Sequence, residues 1–453
     1  MSRIYGIDLG TTNSLIGYKD KLYGGLVPSI ADLDRKLAGE SERTNYNAER
    51  SFKVNISSGN EGKAPIAASS LVLLELKKQV LKDFNDQIEV DPISVKLDVV
   101  ISVPAYFSDN QRQATIKAAN MVGLNVRALV NEPTAAAMFY SRNIKNLTVV
   151  YDLGGGTFDV SVIDSRFGNY DVQATDGLIL GGDNFDEALL RYVWKQSGFK
   201  PYKVKVGQLK AVKDEMKYLC EQAKITIQKT LAGCIVDLSK FKDYCVVTKI
   251  EITKETYINI MKVIFGPTIA KTKQLVAESI MYGDVYDFLL VGGSTRCPFL
   301  QSWIESELGK RPVPITYDPD RIVAQGACLY ASLVESGDIE LMVSDVTKAL
   351  SLGMSDGTVK VIIPNNSKVP ISDFTTVTNP VESDGINLRV YQGDSVLACN
   401  NECIGILVYE FGETLPALKA HVKVTIEVTL DGIVKLRAKQ TLKPEVSINL
   451  KRE

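Results

Sequence analysis

Two stretches of the chain present an aspartate, a glycine run and threonines in the same order. The first is Ile4-Tyr5-Gly6-Ile7-Asp8-Leu9-Gly10-Thr11-Thr12-Asn13. The second, Val149-Val150-Tyr151-Asp152-Leu153-Gly154-Gly155-Gly156-Thr157-Phe158-Asp159, places its aspartate 144 residues later. In each, a β-type apolar run delivers the carboxylate, and Gly and Thr then turn the chain back. Glycine lets backbone N–H groups approach an anion closely. Successive N–H groups and threonine hydroxyls cradle phosphate. An Asp at a strand end suits Mg²⁺, which keeps most of its water. One copy alone is as well explained by a tight hairpin with an acidic turn residue. Two matched copies favour a pair of phosphate loops.

Two weaker pieces accompany them. Leu289-Leu290-Val291-Gly292-Gly293-Ser294-Thr295-Arg296, with Pro298 opening a helix, offers a strand, a Gly-Gly turn and a helix N-terminus. Arg296 has the planar cation that stacks on an adenine ring. Leu180-Gly181-Gly182-Asp183-Asn184-Phe185-Asp186 is another Gly-Gly ahead of a helix. No G-x-x-x-x-G-K-[ST] loop is present, and Asp159 stands where a G-x-G-x-x-G fingerprint needs its third glycine. A nucleotide would therefore be held by the two-hairpin route.

The elements that must position these residues fall into two regimes. Up to about residue 337, buried-type strands alternate with amphipathic helices, the α/β signature. Val99-Val100-Ile101-Ser102-Val103, Thr148-Val149-Val150-Tyr151 and Phe288-Leu289-Leu290-Val291 read as buried strands. Ser108-Asp109 caps a helix that stops at Gly123, and Asn131-Glu132-Pro133 opens another. A long helix is expected over Val206 to Gln228, and one from about Lys254 that bends or breaks at Gly266-Pro267. From about Val346 short alternating runs and Asp-Gly turns replace the helical pattern, which predicts a β-sandwich of about eight strands. Between the regimes, Asp338 to Asp345 is a short apolar patch flanked by acids. Composition favours an edge strand there over a detachable connector.

Composition excludes several classes. With 52 Lys plus Arg against 54 Asp plus Glu, the net charge of −2 gives no electrostatic reason for nucleic acid or a membrane surface as partner. No run approaches the ~20 apolar residues of a membrane helix, and the N-terminal residues have no signal-peptide h-region. Seven scattered cysteines do not form a disulfide frame. Cys399 and Cys403 make a lone C-x3-C and His421 is the one histidine, so neither a zinc site nor a His-based nucleophile pair is expected. A reducing, cytoplasmic setting is the expectation.

Asp8 to Ser14, Val103-Pro104-Ala105-Tyr106-Phe107, Asn131-Glu132-Pro133-Thr134-Ala135-Ala136-Ala137, Asp152 to Asp159 and Val291 to Arg296 together resemble the DnaK-type seventy-kilodalton heat-shock chaperones. The resemblance runs in order from residue 2 to about 450 and includes Asp318-Pro319-Asp320, Leu350-Ser351-Leu352-Gly353 and Val390-Tyr391-Gln392-Gly393. Ser102 to Arg112 and Tyr317 to Gly326 look most like the short, specialised bacterial branch.

That resemblance implies an α/β actin-like, ribonuclease H-like duplicated ATPase domain over residues 1–337, an interdomain linker over 338–345 and an all-β sandwich peptide-binding domain over 346–453. Asp8 and Asp152 would flank Mg²⁺, with Glu132 placing the attacking water or the metal shell and Asp159 in the same acidic cluster. K⁺ is a further expected ion. Gly10, Thr11, Thr12, Asn13, Gly155, Gly156 and Thr157 would hold the phosphates, and Gly182 would join them. Glu221, Lys224 and Gln228 share one helical face that would meet the nucleoside; without the resemblance they read as a solvated charged face. Gly293, Ser294, Arg296 and Asp320 would close over the adenosine and ribose. Lys53 matches the catalytic lysine of the family on Ser51-Phe52-Lys53, although Val54-Asn55 stand where further basic residues are usual. Pro104 and Arg112 match a relay between domains, and Leu341, Met342 and Val343 match the apolar linker. ATP or ADP is the implied nucleotide. Extended polypeptide clients, a J-domain co-chaperone and a nucleotide exchange factor are the implied partners.

Departures from the family pattern are visible. The stretch between the first hairpin and Val103 is about 40 residues shorter than usual. Ser344 is polar, Lys348-Ala349 replaces a usual proline with one residue inserted, and Gly385 falls where a side chain arches over bound peptide. Ala128 stands where arginine is usual, with Arg127 shifted by one, which weakens the expectation of standard J-domain docking. No lid helices follow Glu453, so fast peptide exchange is expected. A nucleotide-binding adaptor without efficient hydrolysis, or a small-molecule kinase of the same fold, are the alternatives; a kinase would leave the β-rich tail unexplained.

Overall fold

The computed structural model describes residues 3–42, 45, 48–56, 63–84, 91–142, 145–281, 284–314, 316–337, 342–346, 348–365, 367–429, 432–440, 443–448 and 450. The opening strand, Ile4–Leu9, is buried almost throughout. It lies at the centre of a five-stranded sheet. Asn13–Tyr18 and then Lys21–Pro28 run antiparallel on one side, while Leu97–Val103 and Leu124–Asn131 run parallel on the other. The second half repeats this plan. Leu147–Leu153 is flanked by antiparallel Phe158–Asp164 and Tyr170–Leu178 on one side and by parallel Tyr286–Val291 on the other. Leu147–Leu153 and Phe158–Asp164 are buried on both faces, as continuous Val/Ile/Leu/Phe runs require.

Each half has its own apolar core, and a third cluster joins them around the helices Glu132–Ser141 and Ile322–Ser336. A Cβ on Gly326 would stand on the Ala135 carbonyl, so the two helices cross at backbone contact. That crossing ties the halves together beneath the two Asp-Gly-Thr turns.

The helix expected over Val206 to Gln228 is Leu209–Thr230. The expected interruption at Gly266-Pro267 is not a break: one helix runs Lys254–Ser279 with Pro267 inside it. Proline removes a single bond to the carbonyl four residues back.

Beyond residue 346 two four-stranded antiparallel sheets enclose a separate apolar core. One contains Val359–Ile363, Leu350–Gly353, Ser383–Gln392 and Glu402–Leu415; the other contains Ile371–Val377, Val422–Val428, Val434–Gln440 and Val446–Ile448. Alternating burial along Val434–Gln440 shows the period of two that puts one face inward.

The segment between the regimes is an interior strand of the second sheet, not the edge strand that composition favoured. Met342–Val346 adds to the second sheet by pairing parallel to Tyr170–Leu178, with Met342 opposite Tyr170 and Val343 opposite Asp171. It also pairs antiparallel to Ser367–Val369 of the β-rich part. Leu341 lies outside the described residues. The two parts meet again at the start of the helix Asp109–Met121. Ser108 Oγ donates to Glu402 Oε1 at 2.9 Å, the Asp109 N–H donates to Gln392 Oε1 at 2.9 Å, and Val434 N–H donates to Asp109 Oδ1 at 2.9 Å.

Candidate functional site: a nucleotide cleft between two matched turns

Leu9 pairs with Ser14 and Leu153 with Phe158, so each turn has four residues, and Asp8 and Asp152 occupy the same position before it. The first turn is braced by Ser29, whose N–H donates to the Thr12 carbonyl at 2.8 Å and whose hydroxyl donates to the Gly10 carbonyl at 2.7 Å. The second is braced by both weaker glycine pieces. Gly182 N–H donates to the Gly154 carbonyl at 3.0 Å, Asp183 N–H to the Gly155 carbonyl at 2.8 Å, and Ser294 Oγ to the Gly154 carbonyl at 3.0 Å. A Cβ on Gly181 would come within 2.5 Å of the Gly155 carbonyl carbon, so glycine is what lets the helix Gly182–Ser197 seat its N-terminus there.

The two turns face each other across a single cavity of about 490 Å³. Thr12 Oγ1 abuts Gly155 so closely that a side chain there would collide with it. The cavity is lined by Asp8, Gly10, Thr11, Thr12 and Asn13 from one half and by Asp152, Gly155, Thr157 and Gly182 from the other. Glu221, Lys224 and Gln228 line it from one helix, and Gly293, Ser294, Arg296 and Asp320 from the chain that follows the strand Tyr286–Val291. Lys53 and Glu132 line it as well. Gly156 does not; Val54 and Thr11 pack over it, and it serves the turn from behind.

Lys53 is 3% exposed, on the short 3-10 helix Phe52–Asn55, and its ammonium donates to Glu132 Oε1. It is not a lone surface lysine. Asp8 Oδ1 accepts from Ser102 Oγ at 2.8 Å. Burial, then the nearby Glu132 carboxylate, pushes Asp8 up to about 7 and raises Asp152 well above the usual carboxylate range. Asp159 is likewise pushed up to about 7 by burial and by Glu132, although Tyr106 N–H donates to its Oδ1 at 3.2 Å. Asp159 belongs to the acidic cluster electrostatically but lines a neighbouring cavity. Carboxylates raised by burial and by one another are groups that a bound cation would relieve.

At the other end of the cleft Lys224 pairs with Asp186 at 2.8 Å, and burial pushes Asp186 up to about 6 despite that partner. Gln228 Nε2 donates to the Tyr257 hydroxyl at 2.8 Å. Arg296 is held by Asp320 at 2.8 Å and by Asp318. Arg112 does not enter this cavity; its Nη2 donates to Asn131 Oδ1 at 2.7 Å, next to Glu132. Pro104 is buried between the strand Leu97–Val103 and that helix, beside the domain contact. Ser102, Asp186 and Tyr257 also belong to the site and are not among the expected residues. Ser102 had a signal, since it sits opposite Asp8 in the parallel pair; Tyr257 had none.

Among the described residues no group of three or more His, Cys, Asp or Glu side chains is arranged as a metal cage. Two aspartates beside the paired turns instead fit an ion that is bound by one or two carboxylates and completes its shell with water and ligand oxygens, as Mg²⁺ does. No helix among the described residues is long and apolar enough to cross a membrane.

A family profile described as Hsp70 protein matches residues 34–452. The chain belongs to the Hsp70 family. Among curated relatives, a chaperone protein HscA homolog of Haemophilus influenzae strain PittGG is 31% identical over 494 aligned residues, covering 98% of this chain and 77% of the relative. The homolog of strain PittEE is 30% identical over 502 residues with the same coverage. Both are named as chaperone proteins, and this chain is an ATP-dependent chaperone of the Hsp70 family.

Proposed function

We propose that the chain hydrolyses ATP to ADP and phosphate and uses the cycle to bind and release extended apolar segments of unfolded proteins. The single observation that carries this is the facing of the two matched turns, with Asp8 and Asp152, on one cavity. The repeated strand order supports a duplicated, actin-like nucleotide domain over residues 1–337, with a linker at 338–345 and a peptide-binding β-sandwich at 346–453.

In this account Gly10 to Asn13, Gly155 and Thr157 orient the phosphates through backbone N–H groups and hydroxyls, with Gly156 shaping the turn behind them. Mg²⁺, when bound, supplies charge neutralisation at the phosphates and would be held near Asp8 and Asp152. Lys53 places a cation beside the reacting phosphoryl group, and Glu132 holds Lys53 and orders the attacking water. Positioning and charge neutralisation are most of what phosphoryl transfer asks of a protein. Glu221, Lys224, Gln228, Gly293, Ser294, Arg296 and Asp320 grip the nucleoside.

The linker strand within the second sheet supports a docked arrangement in which the nucleotide halves and the β-sandwich sense each other. Nucleotide and peptide then bias one two-state element, and their coupling is reciprocal. Clients are recognised by main-chain hydrogen bonds plus an apolar pocket. A J-domain protein and an exchange factor are the co-chaperones proposed by family, and the cytoplasm the proposed location.

The test is single-turnover ATP hydrolysis with and without an extended apolar peptide. Peptide-accelerated phosphate release is expected. Transfer of phosphate to a small acceptor, or tight ATP binding with no turnover, would replace this function with a kinase or an adaptor.

A further inference from the structure

A second cavity of about 510 Å³ joins the phosphate site to the β-sandwich. Thr157, Phe158 and Asp159 of the second turn line it, together with Val54 and Ile56 from the Lys53 segment, Tyr106, and Lys348 and Glu402 from beyond the linker. Lys348 is the basic side chain of that lining, and its ammonium lies 3.8 Å from the centre of the Tyr106 ring. The carboxylates of Asp159 and Glu402 share the cavity, so it is no site for an anion.

We infer that Lys348 is a latch: its cation seats on Tyr106 when the domains dock and holds the β-sandwich against the turn that supports the catalytic acids. The inference rests on the docked, ATP-coupled account given above. Three features fit a latch. First, the backbone behind Lys348 is fixed, because Ala349 N–H donates to Asp394 Oδ1 at 3.1 Å and its carbonyl accepts from Gly393 N–H at 3.0 Å. Second, Tyr106 is the residue whose N–H donates to Asp159 Oδ1, so the ring and the acid cluster share one backbone segment. Third, Lys348 is partly desolvated: burial lowers its pKa, and Glu402, Asp394 and Asp176 act in the opposite direction. A desolvated cation gains more from an aromatic face than an exposed one does. Lys348 is thus a positioning residue; it touches no substrate in this account.

The test is the docked fraction of the full chain, read by single-molecule FRET. One probe is carried at exposed Tyr202 and one at exposed Val396, placed as non-natural amino acids because seven native cysteines preclude thiol labelling. Lys348→Ala is expected to lower the docked-to-undocked ratio about tenfold. Lys348→Arg, which keeps a cation that stacks on aromatic rings, is expected to stay within about threefold of wild type. Tyr106→Leu should lower the ratio similarly, and the double variant no further than either single one. A docked fraction in Lys348→Ala equal to wild type, no rescue by arginine, or additive losses would each overturn the latch, as would a wild-type chain that never docks. A wild-type chain docked equally with and without ATP, yet undocked by Lys348→Ala, would support the latch and overturn the nucleotide coupling.

Discussion

Replacing Lys53 by methionine separates catalysis from packing at the centre of the cleft. The ammonium is buried on Glu132, and the cavity holding both also holds Asp8 and Asp152. Removing one partner of a fully buried ion pair costs about 3–5 kcal/mol when the other charge is stranded. Glu132 is not stranded to that degree, since it borders a cavity of about 490 Å³ and can take up water or a proton. A stability loss of about 1–3 kcal/mol follows, so the variant stays folded, with an unchanged circular dichroism spectrum and a modestly lower melting temperature. The effect on chemistry is larger. A preorganised charge aimed where negative charge develops contributes roughly 10²–10³ in rate. Single-turnover hydrolysis of prebound ATP should therefore fall at least ~100-fold, while ATP affinity by calorimetry changes less than about tenfold. If Lys53 merely neutralised Glu132, the double variant Lys53→Met/Glu132→Gln would turn over no slower than Glu132→Gln alone. We expect it to be slower by at least about tenfold. A single Lys53→Met variant within threefold of wild type, or a double variant as fast as Glu132→Gln, would refute the role given to Lys53.

Three further outcomes follow from other parts of the cleft. Asp8→Asn and Asp152→Asn should each lower turnover by well over tenfold and raise the Mg²⁺ concentration needed for half-maximal rate, because each removes charge beside the same ion; full activity in both would contradict the metal site. Gly326→Ala drives a methyl group into the Ala135 carbonyl where the two central helices cross, and a loss of about 1–3 kcal/mol is expected, seen as a drop of several degrees in melting temperature. Without nucleotide, Asp8 and Asp159 are raised to about 7 and bind protons that the unfolded chain releases. The native state holds more protons between about pH 4 and 7, so stability is greatest at the acid end of that window and falls as pH rises towards 8. Urea midpoints at pH 6 and pH 8 check the sign, and the chain's single histidine leaves few other groups titrating between them.

Much of the cleft was legible because its signal is local. The Asp-Gly-Thr turns are read from consecutive residues, and their duplication raises two weak patterns to one strong one. The face shared by Glu221, Lys224 and Gln228 follows from helical periodicity alone; what that face meets does not. Ser102, Asp186 and Tyr257 were hidden because their roles arise from pairing between distant segments. Of the two outcomes expected at Gly266-Pro267, the break does not occur: proline forfeits one bond of a 26-residue helix, and the others carry it through. Gly156 was placed among the phosphate contacts by its motif, yet Val54, from a segment remote in sequence, covers it. Met342 and Val343 read as a plain edge strand by composition; in the structure they lie opposite Tyr170 and Asp171, and Ser344 to Val346 of the same strand pair with Ser367–Val369, so the strand is interior.

The central claim is that two equivalent turns hold one triphosphate between them. A crystal structure with Mg²⁺ and a non-hydrolysable ATP analogue tests it most directly. The account predicts phosphate oxygens within hydrogen-bonding distance of both Thr11-Thr12 and the pair Gly155 and Thr157, with the ion between Asp8 and Asp152. A nucleotide bound by one turn alone, or in any other cavity, would contradict it.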